Sequence, residues 1–199
     1  MNELVGARHG FVPSIAQVIY LMVLGATFLH FLIFGGRTFK TSPLGEIGSA
    51  WGQFSFLITG TVGTWWLGSF WPIHLYNGIA SAILLLLSLM LYEWSRRVIS
   101  GNGLWIAWSD EVPDRVIEEG PYAYIRHPIY ASYLLAFLAT WVALAKTQAL
   151  VLFLFNVVLF THAAITDERN LAQSPLAAKY EAYKRRAGRF FPRLTTARA

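Results

Sequence analysis

Apolar residues run in long unbroken blocks along this chain. They show neither the alternation of a half-buried strand nor the narrow stripe of a soluble helix. The first block covers 14–34 and is closed by Gly35-Gly36-Arg37. From Ile47 to Tyr92, 46 residues pass without a Lys, Arg, Asp or Glu. One helix of that length would measure roughly 69 Å, against a hydrocarbon core of about 30 Å. The block therefore predicts two membrane spans, about 47–70 and 72–91, broken at Trp71-Pro72, where Pro suits the first turn of a new helix. A fourth uncharged block, 129–145, and a fifth, 147–166, are separated only by Lys146 and its neighbours. They predict an antiparallel helical hairpin.

Composition agrees with this reading. Of the 199 residues, 55% are apolar and 14% charged, and the mean hydropathy is +0.46. A soluble domain carries about a quarter charged residues. The expected fold class is all-α integral membrane, with about five transmembrane helices in a single membrane domain. There is no Cys, which excludes disulfides, thiolate nucleophiles and Cys-ligated metal; no metal site is expected. Residues 1–13 lack the basic start and small-residue cleavage site of a signal peptide and read as part of the mature chain.

Net charge is +5, and its distribution bears on topology, not on nucleic acid. With five spans, fourteen of the sixteen Lys and Arg residues fall on one face, and only Arg8 and Lys146 on the other. The positive-inside rule then puts the C-terminus in the cytoplasm and the N-terminus outside. Trp65, Trp66 and Trp71 read as an outer aromatic belt, and His30 and His74 as helix-packing residues. No Asp, Glu, Lys or Arg lies inside a proposed span, which disfavours a transporter or proton pump. Chemistry is expected at the cytoplasmic ends.

The long connection 93–127 closes with Gly120-Pro121-Tyr122-Ala123-Tyr124-Ile125-Arg126-His127-Pro128. Pro128 suits the first turn of span four, which puts Arg126 and His127 at its positive, N–H-rich end. Counted from Lys146, the hairpin arms to Pro128 and to Asp167 measure about 27 and 31 Å. Asp167-Glu168 is thereby expected beside Arg126-His127. Beyond them, Ser174-Pro175 reads as an N-cap followed by Pro at the first helical position. Leu176, Tyr180, Tyr183 and Ala187 follow at helical spacing, and Gly188 ends the run. This predicts a basic amphipathic helix on the membrane surface, able to cover the site like a lid. Its Lys184-Arg185-Arg186 run reads as an anchor to anionic lipid.

Gly120-Pro121-Tyr122-x-Tyr124-x-Arg126-His127-Pro128-x-Tyr130, then Asp167-Glu168-x-x-Leu171, Tyr180-x-x-Tyr183 and Arg189-Phe190-Phe191-Pro192, resembles the isoprenylcysteine carboxyl methyltransferase family. The signature is similar to that of the phospholipid N-methyltransferases. It covers about the last 85 residues. The resemblance implies a membrane methyltransferase that uses S-adenosylmethionine (SAM) and a lipophilic or lipidated acceptor reaching the site from the bilayer. The three N-terminal spans read from the apolar blocks, in 1–92, carry no part of the signature, and the resemblance places the catalytic loop, hairpin and cofactor-binding region in 93–199. Tyr122, Tyr124, Arg126, His127, Pro128, Tyr130, Asp167 and Glu168 would frame the cofactor, with His127, Arg126 and Glu168 as the catalytic set. Arg126 suits the cofactor carboxylate, Glu168 its ammonium or ribose, and Tyr faces its sulfonium and adenine.

The chain departs from the family pattern at Ala123, usually basic; at Ser132, usually Gly; at Asp167, commonly Glu; and at His162-Ala163, where some members carry Arg. The prenylcysteine carboxylate is the namesake acceptor, and a phospholipid amine, a phenol or a thiol is equally compatible. Two rival readings are a non-catalytic membrane scaffold or transporter subunit, and a sterol-reductase-like NADPH enzyme. The second would need more spans and a phosphate-binding basic cluster.

Overall fold

The computed structural model describes residues 15–38, 73–99 and 115–193. The expected second span, 47–70, and much of the connection after the third lie outside them. The described residues form five helices: α1 (Ile15–Thr38), α2 (Leu75–Ile99), α3 (Pro128–Leu144), α4 (Thr147–Ala172) and α5 (Ala177–Arg186). A 3-10 turn at Gly120–Ala123 precedes α3. By length and composition, α2 and α4 are long and apolar enough to cross a membrane. Helix α3 is shorter and α1 holds a shorter apolar stretch, Gln17–Phe31.

Packing explains how such apolar helices find one register. The buried face of α2 is Ser81, Leu85, Ser88, Tyr92, Ser95 and Ile99, alternating steps of four and three. Small residues let helix backbones approach closely in a membrane, and their hydroxyls supply hydrogen bonds across the interface. Ser81 Oγ donates to the Ala139 carbonyl at 2.7 Å, and Ser88 Oγ to the Ser132 carbonyl at 2.6 Å. Tyr20 of α1 hydrogen-bonds Ser81 in turn. The α1 face uses the same spacing through Gln17, Leu21, Leu24, Phe28 and Phe31, and Phe28 meets Phe137 of α3 at 4.9 Å between rings. Helix α3 is buried on nearly every side, which makes it the central element of the described residues.

Helices α3 and α4 are joined by Ala145 and Lys146, with Ala145 in the left-handed region at φ 50°. Trp141 stacks on Phe153 near that joint. His127 and Glu168 meet at the opposite end. The two helices therefore lie antiparallel, and their far ends define one locale.

Several boundaries differ from the sequence reading. Helix α2 continues eight residues past the expected end of the third span, from Leu91 to Ile99. Charge does not end a helix, and here it braces one. Arg96 pairs with Glu93 one turn earlier, and Glu93 also takes His30 Nε2 of α1 at 2.8 Å. Helix α4 likewise carries Asp167 and Glu168 within its helical stretch and ends only at Ala172. Ser174-Pro175 is not the start of α5. Ser174 makes a turn, its Oγ donating to the Leu171 carbonyl and accepting from Leu176 N–H, and the helix begins at Ala177. Gly188 lies beyond the end of α5, in a parallel bridge with Ile125. The apolar face of α5 is packed on protein: Tyr180, Tyr183 and Ala187 are buried with Val116, Leu171 and Leu176. That face is therefore not free to lie in the membrane surface.

Gly188 is required by space. A Cβ there would stand 1.7 Å from the Phe191 carbonyl oxygen, a backbone atom that cannot swing aside. Gly188→Ala should lower the thermal midpoint in detergent by about 5 °C, the scale of an overpacked site of ~2 kcal/mol. Gly78→Ala is the matched control, since its Cβ would meet only Ile73 Cγ2 at 3.4 Å. A helical Gly→Ala change should leave the midpoint level or slightly raised.

Candidate functional site

Three side chains from two segments converge on the Glu168 side chain, which is 7% exposed. From the N-terminal end of α3, Arg126 donates through Nη2 at 2.8 Å and Nε at 3.1 Å to Oε1. His127 Nε2 approaches the same oxygen at 3.3 Å. From the C-terminal segment, Arg189 reaches Oε1 through Nε at 3.0 Å and Oε2 through Nη2 at 2.9 Å. A buried carboxylate is costly unless paired and hydrogen-bonded, and this one has two guanidiniums and an imidazole.

The backbone holds that arrangement. Arg126 N–H donates to the Gly188 carbonyl at 2.8 Å, His127 N–H to the Arg189 carbonyl at 3.1 Å, and Gly188 N–H to the Tyr124 carbonyl at 3.0 Å. The expected N–H-rich end of α3 is thus partly closed by the chain itself. Arg126 also donates through Nη1 to the Ala187 carbonyl at 2.5 Å, so its guanidinium ties the C-terminal end of α5 to Glu168. Tyr183 donates its hydroxyl to the Tyr122 carbonyl at 2.7 Å. The helix expected as a lid is fixed over this end by Tyr183 and Arg126.

Asp167 and Glu168 are neighbours in sequence with different surroundings. Adjacent helical residues point about 100° apart. Among the described residues Asp167 accepts one hydrogen bond, from the Tyr130 hydroxyl to Oδ2 at 3.1 Å. Oδ2 lies 4.0 Å from His127 Nδ1. The His127 ring stacks parallel to Tyr130 at 5.5 Å, and Tyr130 stacks on Phe160 of α4. Phe190 closes the edge of His127.

Burial pushes the His127 pKa below its ordinary value, and the positive charges of Arg126 and Arg189 act in the same direction. Glu168 acts against that shift, but two guanidiniums already neutralise it. Burial prevails, and the ring is neutral at about pH 7. A carboxylate only accepts, so the ring proton sits on Nε2 and Nδ1 carries a bare lone pair.

The structure brings Arg126, His127, Tyr130, Asp167 and Glu168 together, with Pro128 opening α3. Tyr122 and Tyr124 enter differently. Tyr122 is a buried core residue that meets the C-terminal region through its carbonyl. The Tyr124 side chain is exposed, and its carbonyl takes part in the bridge to Gly188. Arg189 was given no role in the sequence reading. Its signal lay in the motif that begins with it, whose partner only the fold reveals.

Arg126→Lys should fail to substitute. One ammonium cannot span Glu168 and the Ala187 carbonyl as a planar fork does. The expected loss is near the ~3–5 kcal/mol of a broken buried pair, read as a lower thermal midpoint in detergent. For His127 the sign follows from its lowered native pKa. The unfolded chain takes up the proton near pH ~6.5, the native chain only at lower pH, so stability falls as pH drops through that window. Acidification from about pH 7.5 to 5.5 should lower the wild-type midpoint more than that of His127→Gln.

The sequence model of the isoprenylcysteine carboxyl methyltransferase (ICMT) family matches residues 83–173. The matched segment begins within α2 and ends just after α4, so it contains α3 and both charged ends. No curated protein matches the chain. The resemblance read from the motifs is thus met by this match: over residues 83–173 the chain is similar to the isoprenylcysteine carboxyl methyltransferase family, a family of membrane methyltransferases.

Proposed function

We propose that the protein is an integral membrane, S-adenosylmethionine-dependent methyltransferase that modifies a lipophilic acceptor at the cytoplasmic leaflet. The observation that carries this reading is the meeting of the Arg126-His127 end of α3, the Asp167-Glu168 end of α4 and Arg189. Five spans, a cytoplasmic C-terminus and an external N-terminus complete the proposal. They are supported by the charge distribution and by two helices of spanning length.

The donor set fits the cofactor in kind. SAM brings an ammonium, a carboxylate, a ribose and an adenine. The locale offers two carboxylates, a guanidinium and the stacked faces of His127 and Tyr130. Arg126 is 5% exposed and engaged on both sides, whereas Arg189 is 35% exposed. Arg189 is thus the guanidinium open to a ligand carboxylate, and Arg126 is a positioning residue acting through Glu168. Glu168 is the group for the ammonium or ribose. Tyr122, Tyr124 and Pro128 shape the backbone around it.

When bound, the cofactor supplies a methyl group on a sulfonium. The residues of this chain bind and orient it, exclude water and hold the acceptor in line; such positioning supplies much of the barrier reduction. A lipophilic acceptor enters along the aromatic side of the site, Tyr130, Tyr133 and Phe160. The substrate class is a lipophilic molecule carrying one methylatable group, with a prenylcysteine-like carboxylate, a phospholipid amine, a phenol and a thiol all compatible with this reading.

Isothermal titration in detergent should show binding of SAM or its demethylated product. Glu168→Ala, His127→Ala and Arg189→Ala should each weaken it by roughly tenfold or more, ~1.4 kcal/mol. Unchanged affinity in all three would remove the site assignment. Radiolabelled SAM incubated with fractionated native lipids and prenylcysteine analogues should place label in a lipid fraction. A scaffold predicts no binding and tolerance of substitutions across 122–128.

A further inference from the structure

The sides of Asp167 and His127 that face each other carry more proton acceptors than donors. Asp167 Oδ2 and the bare Nδ1 of His127 stand 4.0 Å apart, too far to bond each other. The hydrogen bond there among the described residues comes from Tyr130. The other groups around Asp167 are its neighbour Glu168 and, beyond that carboxylate, Arg126 and Arg189. Both guanidiniums are engaged with Glu168, so neither turns a cation toward Asp167.

On the membrane side the surroundings become apolar. Phe160, Ala163 and Ala164 are buried on the α4 face that leads to Asp167, and Tyr133 packs against Phe160. A carboxylate acceptor brought along this route would meet the Asp167 carboxylate, while Arg126 and Arg189 both point their donors at Glu168. A group that brings a proton would find two acceptors.

Building on the methyltransferase reading above, we propose that Asp167, oriented by Tyr130 and set beside His127 Nδ1, is the proton acceptor for a lipophilic acceptor whose nucleophile is a neutral thiol or phenol. In the transfer the acceptor's X–H bond breaks and its proton passes to Asp167. The pair left on X forms the X–CH3 bond. The S–CH3 bond of the SAM sulfonium breaks with its pair retained on sulfur, giving a thioether. Asp167 then returns the proton to water. Negative charge grows on X opposite a positive sulfonium and both vanish in the product, a course favoured where the dielectric is low. An ammonium acceptor would instead bring a second positive charge toward the sulfonium.

The test offers methyl-labelled SAM and four acceptors to the full-length protein in detergent: dodecanethiol, octylphenol, dodecylamine and N-acetyl-S-farnesylcysteine. SAM affinity is measured separately by titration. Label should enter the thiol or phenol at least tenfold faster than the other two. Asp167→Asn should cut that transfer at least 100-fold while keeping SAM affinity within about threefold, consistent with loss of a general base. Tyr130→Phe removes a hydrogen bond that favours the ionised carboxylate. It should move the acidic limb of the kcat/KM profile to higher pH, which a purely structural role for Tyr130 would not do.

The inference is overturned if the farnesylcysteine or the amine takes label fastest, or if no acceptor takes label although SAM binds. It is also overturned if Asp167→Asn transfers at the wild-type rate, or if that variant loses SAM affinity, which would assign Asp167 to the cofactor. No SAM binding by the wild type would instead defeat the methyltransferase reading itself.

Discussion

One buried carboxylate governs the architecture of this end of the molecule. Glu168 follows Phe160 and Ala164 in steps of four along an otherwise apolar stretch of buried helix face. Left alone there, its charge would be untenable. Its requirement for cations and donors draws in the Arg126 guanidinium and the neutral His127 ring from the start of α3 and the Arg189 guanidinium from the segment after α5. Arg126 has donors left over, and they reach the carbonyls at the end of α5. The ion pairs thus fix more than charge. They set where α5 lies, which strand of backbone pairs with residues 124–127, and why residue 188 can carry no side chain.

This end could not be built without the membrane-type packing beneath it. The serines of α2 reach carbonyls of α3, which lets the two backbones come close and fixes their axial register. That register sets the depth at which α3 begins, and with it the height of Arg126 and His127. A two-residue joint at Ala145 and Lys146 returns the chain as α4, so the length of the α3 arm decides which α4 residue meets His127. A single inserted residue in α3 would turn the helix by about 100° and carry its partner contacts away from Glu168. The aromatic stack of His127, Tyr130, Phe160 and Tyr133 ties that registration to the apolar interior.

Much of this was legible in the sequence, and for a clear reason. Absence of charge over a stretch is a one-dimensional signal, and the arms of an antiparallel pair can be counted from their joint. The spacing that set Asp167-Glu168 beside Arg126-His127 needed no further knowledge. Helix ends were harder. Glu93, Arg96, Asp167 and Glu168 look like loop residues after an apolar run, yet each stays helical because it finds a partner on another element or one turn away. The α5 stripe correctly announced a buried face, but periodicity says only that a face is covered. Whether bilayer or protein covers it depends on Leu171 and on Val116, the latter remote in sequence. Arg189 was unreadable for the same reason: the bridge between Ile125 and Gly188 spans more than sixty residues.

The adjacency of Asp167 and Glu168 invites the view that the two act as one acidic patch. Helical geometry argues otherwise. Consecutive residues on a helix do not share a face, and here the two faces meet opposite chemistry. Glu168 turns toward guanidiniums and serves cohesion as much as recognition. Asp167 turns toward a phenol, an imidazole lone pair and an aromatic wall. A pair of like residues in sequence becomes two unlike groups in space, one whose charge is already balanced and one whose charge is not. The second has the greater capacity left for an acceptor that arrives with a proton, and it stands where the polar end of the site gives way to the apolar interior. The division follows from the 100° turn between neighbours and from which residues of α3 face each of them.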